Sequence, residues 1–187
     1  MSNRKRGLAV IAALAVSLLL ASCAAAEEKV QNDAFPDLTL AETKSPVQLL
    51  RNETASRIPA ALIADVEQTE DVSFACVTPE NDPKGLIRSW RSRVRVQLNE
   101  NTSVEAVLKT LVASFVDQGW KEGTYGSATI IDLTKDKSLT TIHLSTKKAD
   151  VKTGVGAIIQ LQVAGPCVRT AGGESDEVKL LEAGTTK

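Results

Sequence analysis

The side chains best suited to metal binding or covalent chemistry are three cysteines and one histidine. Cys23, Cys76 and Cys167 are the only thiols among 187 residues, and His143 is the only imidazole. A zinc site needs three or four protein ligands, so a single histidine excludes a metal cluster built on imidazole. We therefore predict no metal and no cofactor, and we assign the thiols to covalent roles.

Cys23 ends a segment that is typical of an export signal. Three basic residues at positions 4–6 precede an uncharged, mostly apolar run over residues 8–20. Such a run suits the core of a secretion signal, and it is shorter than the about 20 apolar residues that span a bilayer. Small residues then lead to the thiol in Leu20-Ala21-Ser22-Cys23.

This motif resembles the lipobox of bacterial lipoproteins, Leu-(Ala/Ser)-(Gly/Ala/Ser)-Cys, at all four positions. The resemblance implies that residues 1–22 are a signal peptide and that the Cys23 sulfur carries the lipid. Acyl chains such as palmitate would then anchor the protein in the cell membrane on its extracytoplasmic side. Each buried methylene contributes about 0.8 kcal/mol, so two or three chains make a stable anchor. The alternative is an ordinary cleaved signal followed by an incidental cysteine.

Cys76 and Cys167 are the pair that remains once Cys23 is assigned to the lipid. Exported proteins fold in an oxidising compartment, where two such thiols are expected to form a disulfide. Such a bond would bring their Cα atoms within about 7 Å of each other. Two buried free thiols or a metal pair are the alternatives.

The net charge indicates which partners to exclude. Cleavage before Cys23 removes Arg4, Lys5 and Arg6 from the 22 basic residues and no acidic residue, which leaves 19 against 23 acidic and a formal charge of −4. This balance argues against a nucleic-acid partner. Aromatic residues make up only 3% of the chain, so few rings are present to stack on bases or sugars.

Three regions follow the predicted signal. Residues 23–44 are rich in alanine and acidic side chains, and we predict a flexible tether. Residues 45–168 are the predicted globular domain, and residues 169–187 are a predicted mobile C-terminal tail. The tether residues that could instead dock on the domain are Phe35, Leu38 and Leu40.

We predict two helices. The first begins at Ser45-Pro46-Val47-Gln48, which has the order of a capping box with proline in the first turn, and ends before Pro59. The second is capped by Thr102 and Glu105 and ends at Gly119, with Trp120 folded back on Phe115. Its apolar stripe is expected to be core rather than a cofactor site, and consists of Val104, Val107, Leu108, Leu111, Val112, Phe115 and Val116.

Alternating or β-branched runs predict six strands. They cover residues 62–68, 72–77, 93–98, 125–134, 139–146 and 155–163. His143 alternates with apolar neighbours and is expected to point outward from its strand. The order α-β-β-β-α-β-β-β indicates an α+β fold with two helices on one face of a mostly antiparallel sheet.

Two short motifs add to the lipobox resemblance. Gly119-Trp120 after the second helix and the late Gly165-Pro166-Cys167 are similar to those in small, mostly uncharacterised lipoproteins of high-GC Gram-positive bacteria. The resemblance implies a tether followed by a small α+β domain. It transfers no catalytic residue.

One local concentration of charge is a candidate binding site. Arg88, Trp90, Arg91, Arg93 and Arg95 form a basic cluster in an otherwise acidic domain. Arginines pair with phosphates and carboxylates, so this cluster could bind lipid head groups, wall polymers or a partner protein. The alternative is the solvated face of a strand, with Trp90 at the edge of the core.

The leading hypothesis for function is a non-catalytic, membrane-anchored module that binds or scaffolds an envelope protein, wall polymer or lipid. The second is a carrier of an apolar ligand such as a lipid, which requires a cavity of several hundred Å³ between helix and sheet. A tightly filled interface would argue against the carrier. A hydrolase that uses two carboxylates is the third alternative, and we expect no enzymatic activity.

Overall fold

The structure is a computed structural model that describes residues 35–124, 130–149 and 155–184. The predicted signal peptide, Cys23 and the first part of the predicted tether lie outside the described residues. In the part that is described, no helix combines the length and the apolar character needed to cross a membrane. All described helices and strands belong to one unit that begins at Asp37, so this unit contains its own core.

The centre of the fold is a seven-stranded sheet in which every described strand pair is antiparallel. The spatial order is β1-β2-β6-β5-β4-β3, and the short β7 pairs with β2. The strands are β1 (Ile63–Ala75), β2 (Ile87–Leu98), β3 (Lys121–Thr124), β4 (Ile130–Thr134), β5 (Thr141–Lys147), β6 (Ile158–Ala164) and β7 (Val168–Arg169).

Alternation along the central strands gives the sheet two different faces. On β5, Ile142 and Leu144 are fully buried, whereas His143 between them is partly exposed. On β6, Ile159 and Leu161 are buried in the same way, and Gln160 points to the other side. We call the apolar side the inner face and the polar side the open face, because the described helices pack on the inner face.

The first helix, α1 (Leu40–Ser56), begins earlier than the predicted start at Ser45. Thr39 and Glu42 form the capping box, in which the Glu42 carboxylate accepts from the Thr39 amide at 2.8 Å. Leu40 is fully buried and joins the core, which fixes the first turn on the domain. Pro46 consequently lies inside the helix, and residues 40–44 are helical rather than part of a tether.

The second helix, α2 (Val104–Val116), is capped by Ser103 rather than by Thr102. The Ser103 hydroxyl accepts from the amide of Ala106 at 3.2 Å. The C-terminal end of α2 matches the prediction, because Gly119 has a φ of +84° and Trp120 packs edge-on against Phe115 with ring centroids 5.5 Å apart. The Trp120 amide also donates to the Phe115 carbonyl, which completes a Schellman-type end.

The prediction of a mobile tail is wrong for much of residues 169–187. Asp176–Ala183 form a third helix, α3, and its Val178 is 2% exposed within the core. The helix is held at its end, since Glu182 accepts from the Ser73 hydroxyl of β1 at 2.7 Å and the Leu181 carbonyl accepts from Lys44 of α1 at 2.6 Å. The burial of Val178 and these two contacts stabilise a helix in a segment whose polar, glycine-containing sequence did not predict one.

The α+β class and the disulfide are both confirmed. Cys76 and Cys167 are bonded, with Cα atoms 6.1 Å apart, so the end of β1 is tied to the start of β7. The element order differs from the prediction, since the predicted strands 62–68 and 72–77 fall largely within the single strand β1 and Lys121–Thr124 form an additional strand. Residues 125–129, predicted to begin a strand, lie outside the described residues.

Candidate ligand-binding groove

The two long helices cover the inner face unevenly. Helix α1 packs on β2 and β6, whereas α2 contacts β6 and the edge strand β3. Strands β5 and β4 lie between β6 and β3 in the sheet. Part of their inner face is therefore bridged by α2 rather than tightly packed against it.

Three inner-face side chains show where the packing opens. Glu122, Ile131 and Thr146 are the register partners of the buried inner-face residues Leu133, Leu144 and Ile159 respectively. Cross-strand partners point to the same face, yet Glu122 is exposed and the other two are only half-buried. A charged residue at an inward-facing strand position requires access to solvent.

An open groove of about 700 Å³ lies at this place, between α2 and strands β3 to β5. The α2 side contributes the apolar row Leu108, Val112 and Val116, spaced four residues apart on one helix face. Val116 is 43% exposed, in contrast to the rest of the predicted stripe. The described residues that line the groove are Glu105, Leu108, Lys109, Val112, Ala113, Val116, Asp117, Glu122, Ile131, Thr146 and Lys148.

The charged residues at the rim of the groove differ between its two ends. Asp117 and Glu122 flank the turn from α2 into β3 and lie at one end. Lys109 lies eight helical residues before Asp117, which is about 12 Å along the helix. Lys148 follows the end of β5. The strand register places Thr146 about 13 Å along the strands from the level of Glu122, and Lys148 lies beyond Thr146. The groove therefore has an acidic end, formed by Asp117 and Glu122, and an end where the two lysines Lys109 and Lys148 lie near Glu105.

Arg57 holds α2 on the side away from the groove, where a smaller hollow of about 170 Å³ lies. Its guanidinium donates to the Ser114 carbonyl at 2.8 Å and to the Gln118 side chain at 2.6 Å. It also lies 3.7 Å from the centre of the Phe115 ring. Ser114 is in the last turn of α2, where backbone carbonyls have no hydrogen-bond donor within the helix. The Arg57 guanidinium supplies a donor to the Ser114 carbonyl.

The predicted basic cluster is divided between the two faces of β2. Trp90 is fully buried on the inner face, and its indole donates to Asp71 at 2.7 Å. Arg88 donates to the Ser73 hydroxyl at 2.9 Å on the same face. Nearby, Arg51 of α1 is 8% exposed, and burial lowers the pKa of its guanidinium while the charge of Asp71 opposes the shift.

Arg91, Arg93 and Arg95 lie together on the open face, as the alternation predicts. Both Arg91 and Arg93 form ion pairs with Glu70, and Arg95 pairs with Glu67 at 2.8 Å. Their positive charge is thus largely balanced by the acidic residues of β1. This pairing reduces the charge that the arginines can offer to an anionic polymer.

His143 also lies on the open face, and its outward direction is confirmed. Its Nδ1 is 2.5 Å from Asp132 Oδ1 on the neighbouring strand β4. In register with it on β6 is Gln162, which accepts from Arg93. The sequence does not reveal Asp132 as the partner of His143, because it does not show that β4 pairs with β5.

Within the described residues, no group of three or more His, Cys, Asp or Glu side chains could hold a metal ion. Comparison with protein-family models, curated proteins and solved structures gives no significant match to this chain.

Proposed function

We propose that this protein is a lipid-anchored, extracytoplasmic binding protein that holds an apolar or amphipathic small molecule in the groove between α2 and the sheet. The observation that supports the proposal is the groove itself, whose volume of about 700 Å³ lies within the about 300–1,000 Å³ typical of ligand pockets. Its floor is apolar and its rim is charged, as ligand sites commonly are. The role is non-catalytic.

The predicted lipid anchor is consistent with a site of this kind. A domain attached through the Cys23 lipid stays close to the membrane, where molecules with acyl chains are concentrated. A scaffolding role through Arg91, Arg93 and Arg95 stays a prediction, and the pairing of these arginines with Glu67 and Glu70 gives it less support than the groove gives to a carrier.

The test uses the chain without residues 1–23, because the unit that begins at Asp37 contains all described elements. The probe is Nile red, an uncharged dye whose emission rises in apolar surroundings. Ala113→Trp places a large ring in the groove, and Thr110→Trp places the same ring at the smaller hollow on the other side of α2. Both positions are exposed, so both variants should fold.

We expect saturable binding of one dye per chain, retained in Thr110→Trp and weakened at least about tenfold in Ala113→Trp, since the ring would fill space that the dye needs. Binding that is absent in the original chain, or equal in the two variants, would contradict the proposal.

A further inference from the structure

The two ends of the groove differ in charge, and this difference restricts which class of ligand can bind and in which orientation. We infer that the groove binds a single-chain anionic amphipath, of the long-chain carboxylate type, with its head group between Lys109 and Lys148 and its chain directed toward Val116. The inference rests on the proposed function and specifies the ligand class of the same site.

The two lysines are free to meet an anion. In the described part of the chain, neither Lys109 nor Lys148 forms an ion pair or a hydrogen bond, unlike Lys121, which pairs with Asp136 at 2.7 Å. They come from opposite walls of the groove, one from α2 and one from the segment after β5. A carboxylate with two oxygens could accept from both ammonium groups.

Glu105 is the acidic residue nearest to this end, one helical turn before Lys109. Its carboxylate is turned back toward the start of the helix, where it accepts from the Ser103 hydroxyl at 3.4 Å. No ion pair joins it to Lys109 within the residues that the structure describes. Lys109 is therefore not neutralised by its helical neighbour.

The opposite end excludes an anionic head group. Asp117 and Glu122 would repel a carboxylate placed there, so the charges permit one orientation of an anionic ligand. The apolar track between the ends is a single row, Leu108, Val112 and Val116, which faces Ile131 across the groove. One row of side chains matches one acyl chain rather than two.

The experiment measures how three ligands with the same sixteen-carbon chain displace Nile red: hexadecanoate, hexadecanol and hexadecyltrimethylammonium. Each is kept below its micelle-forming concentration. The variants are Lys109→Gln with Lys148→Gln, and the control is Lys121→Gln, which removes a lysine on the open face. Phosphatidylglycerol vesicles are the two-chain competitor.

We expect hexadecanoate to bind about tenfold more tightly than hexadecanol, as two partly exposed ion pairs would give, and the cationic ligand to bind most weakly. The double variant should lose this preference and keep its affinity for hexadecanol, while Lys121→Gln should keep both.

Equal affinities for the three ligands would overturn the head-group inference and leave the groove as a binding site. A preference that persists in the double variant would overturn the role of the lysines, and tighter binding of the two-chain lipid would overturn the single-chain ligand. Failure of all three ligands and of Nile red to bind would instead overturn the proposed function.

Discussion

Replacing Arg57 by methionine tests how the wall of the groove is held in place. The Arg57 side chain is only 14% exposed, and its guanidinium joins the end of α1 to the last turn of α2. Methionine keeps most of the apolar stem, so the substitution removes the charged contacts and little packing.

The expected loss follows from three contacts. The hydrogen bond from the charged guanidinium to the part-buried Ser114 carbonyl contributes about 1.5–3 kcal/mol, and the exposed bond to Gln118 adds little to it. The stacking on Phe115 adds about 0.5–1 kcal/mol, and the half-exposed pair with Glu53 adds about 0.3–0.5 kcal/mol. Because such contributions are not additive, we expect Arg57→Met to lower the free energy of unfolding by about 2–3 kcal/mol.

The assay is urea unfolding followed by circular dichroism, with Arg95→Met as the matched control. Arg95 forms one ion pair, with Glu67, and both side chains are about half exposed, so its loss should be below about 1 kcal/mol. The midpoint should fall in Arg57→Met while the dependence on urea stays unchanged. A loss no larger than that of Arg95→Met would refute the view that Arg57 fastens α2.

Two further outcomes are expected, one for the disulfide and one for acid stability. Replacing Cys76 and Cys167 together by serine should lower stability by up to about 4–5 kcal/mol, since the bond closes a loop over 91 positions; guanidinium unfolding should show this, and a loss below about 1 kcal/mol would contradict it. The amides of Leu86 and Ile87 lower the pKa of Asp82. Its contribution to stability is thus present above the unfolded value of about 3.9 and is lost as the pH falls through the lower folded value. Urea midpoints measured from pH 5 to pH 2 should consequently fall less in Asp82→Asn than in the original chain, and parallel curves would contradict this assignment.

The parts of the fold that the sequence predicts best are those decided by local patterns. The second helix follows from its apolar stripe and from Gly119, and the outward direction of His143 follows from its buried neighbours Ile142 and Leu144. The Cys76–Cys167 bond was favoured over two free thiols by the number of cysteines together with the predicted export signal. In each of these cases nearby residues or simple counting carry the information.

The errors arise where a distant contact decides the structure. Thr39 and Glu42 also have the spacing of a capping box, and burial of Leu40 selects that start over the one at Ser45. Residues 176–183 stand in a mixed polar tail, and they form a helix whose Val178 reaches the core.

The groove was the least predictable feature, because it depends on where α2 lies across the sheet. Leu108 and Val112 are core residues, as predicted, with only 8% and 6% of each exposed, and their position opposite β4 also makes them part of the groove lining. Glu122 indicates the opening only once the register of β3 with β4 is known, because residues 121–124 were not predicted to form a strand.

The most direct test of the central claim is methyl NMR of the domain with hexadecanoate. We expect intermolecular nuclear Overhauser effects from the acyl chain to the methyl groups of Val112, Val116 and Ile131, and none to the fully buried Ile142. Contacts confined to the open face, or no saturable contact to the groove methyls, would contradict the claim that this groove holds an apolar chain.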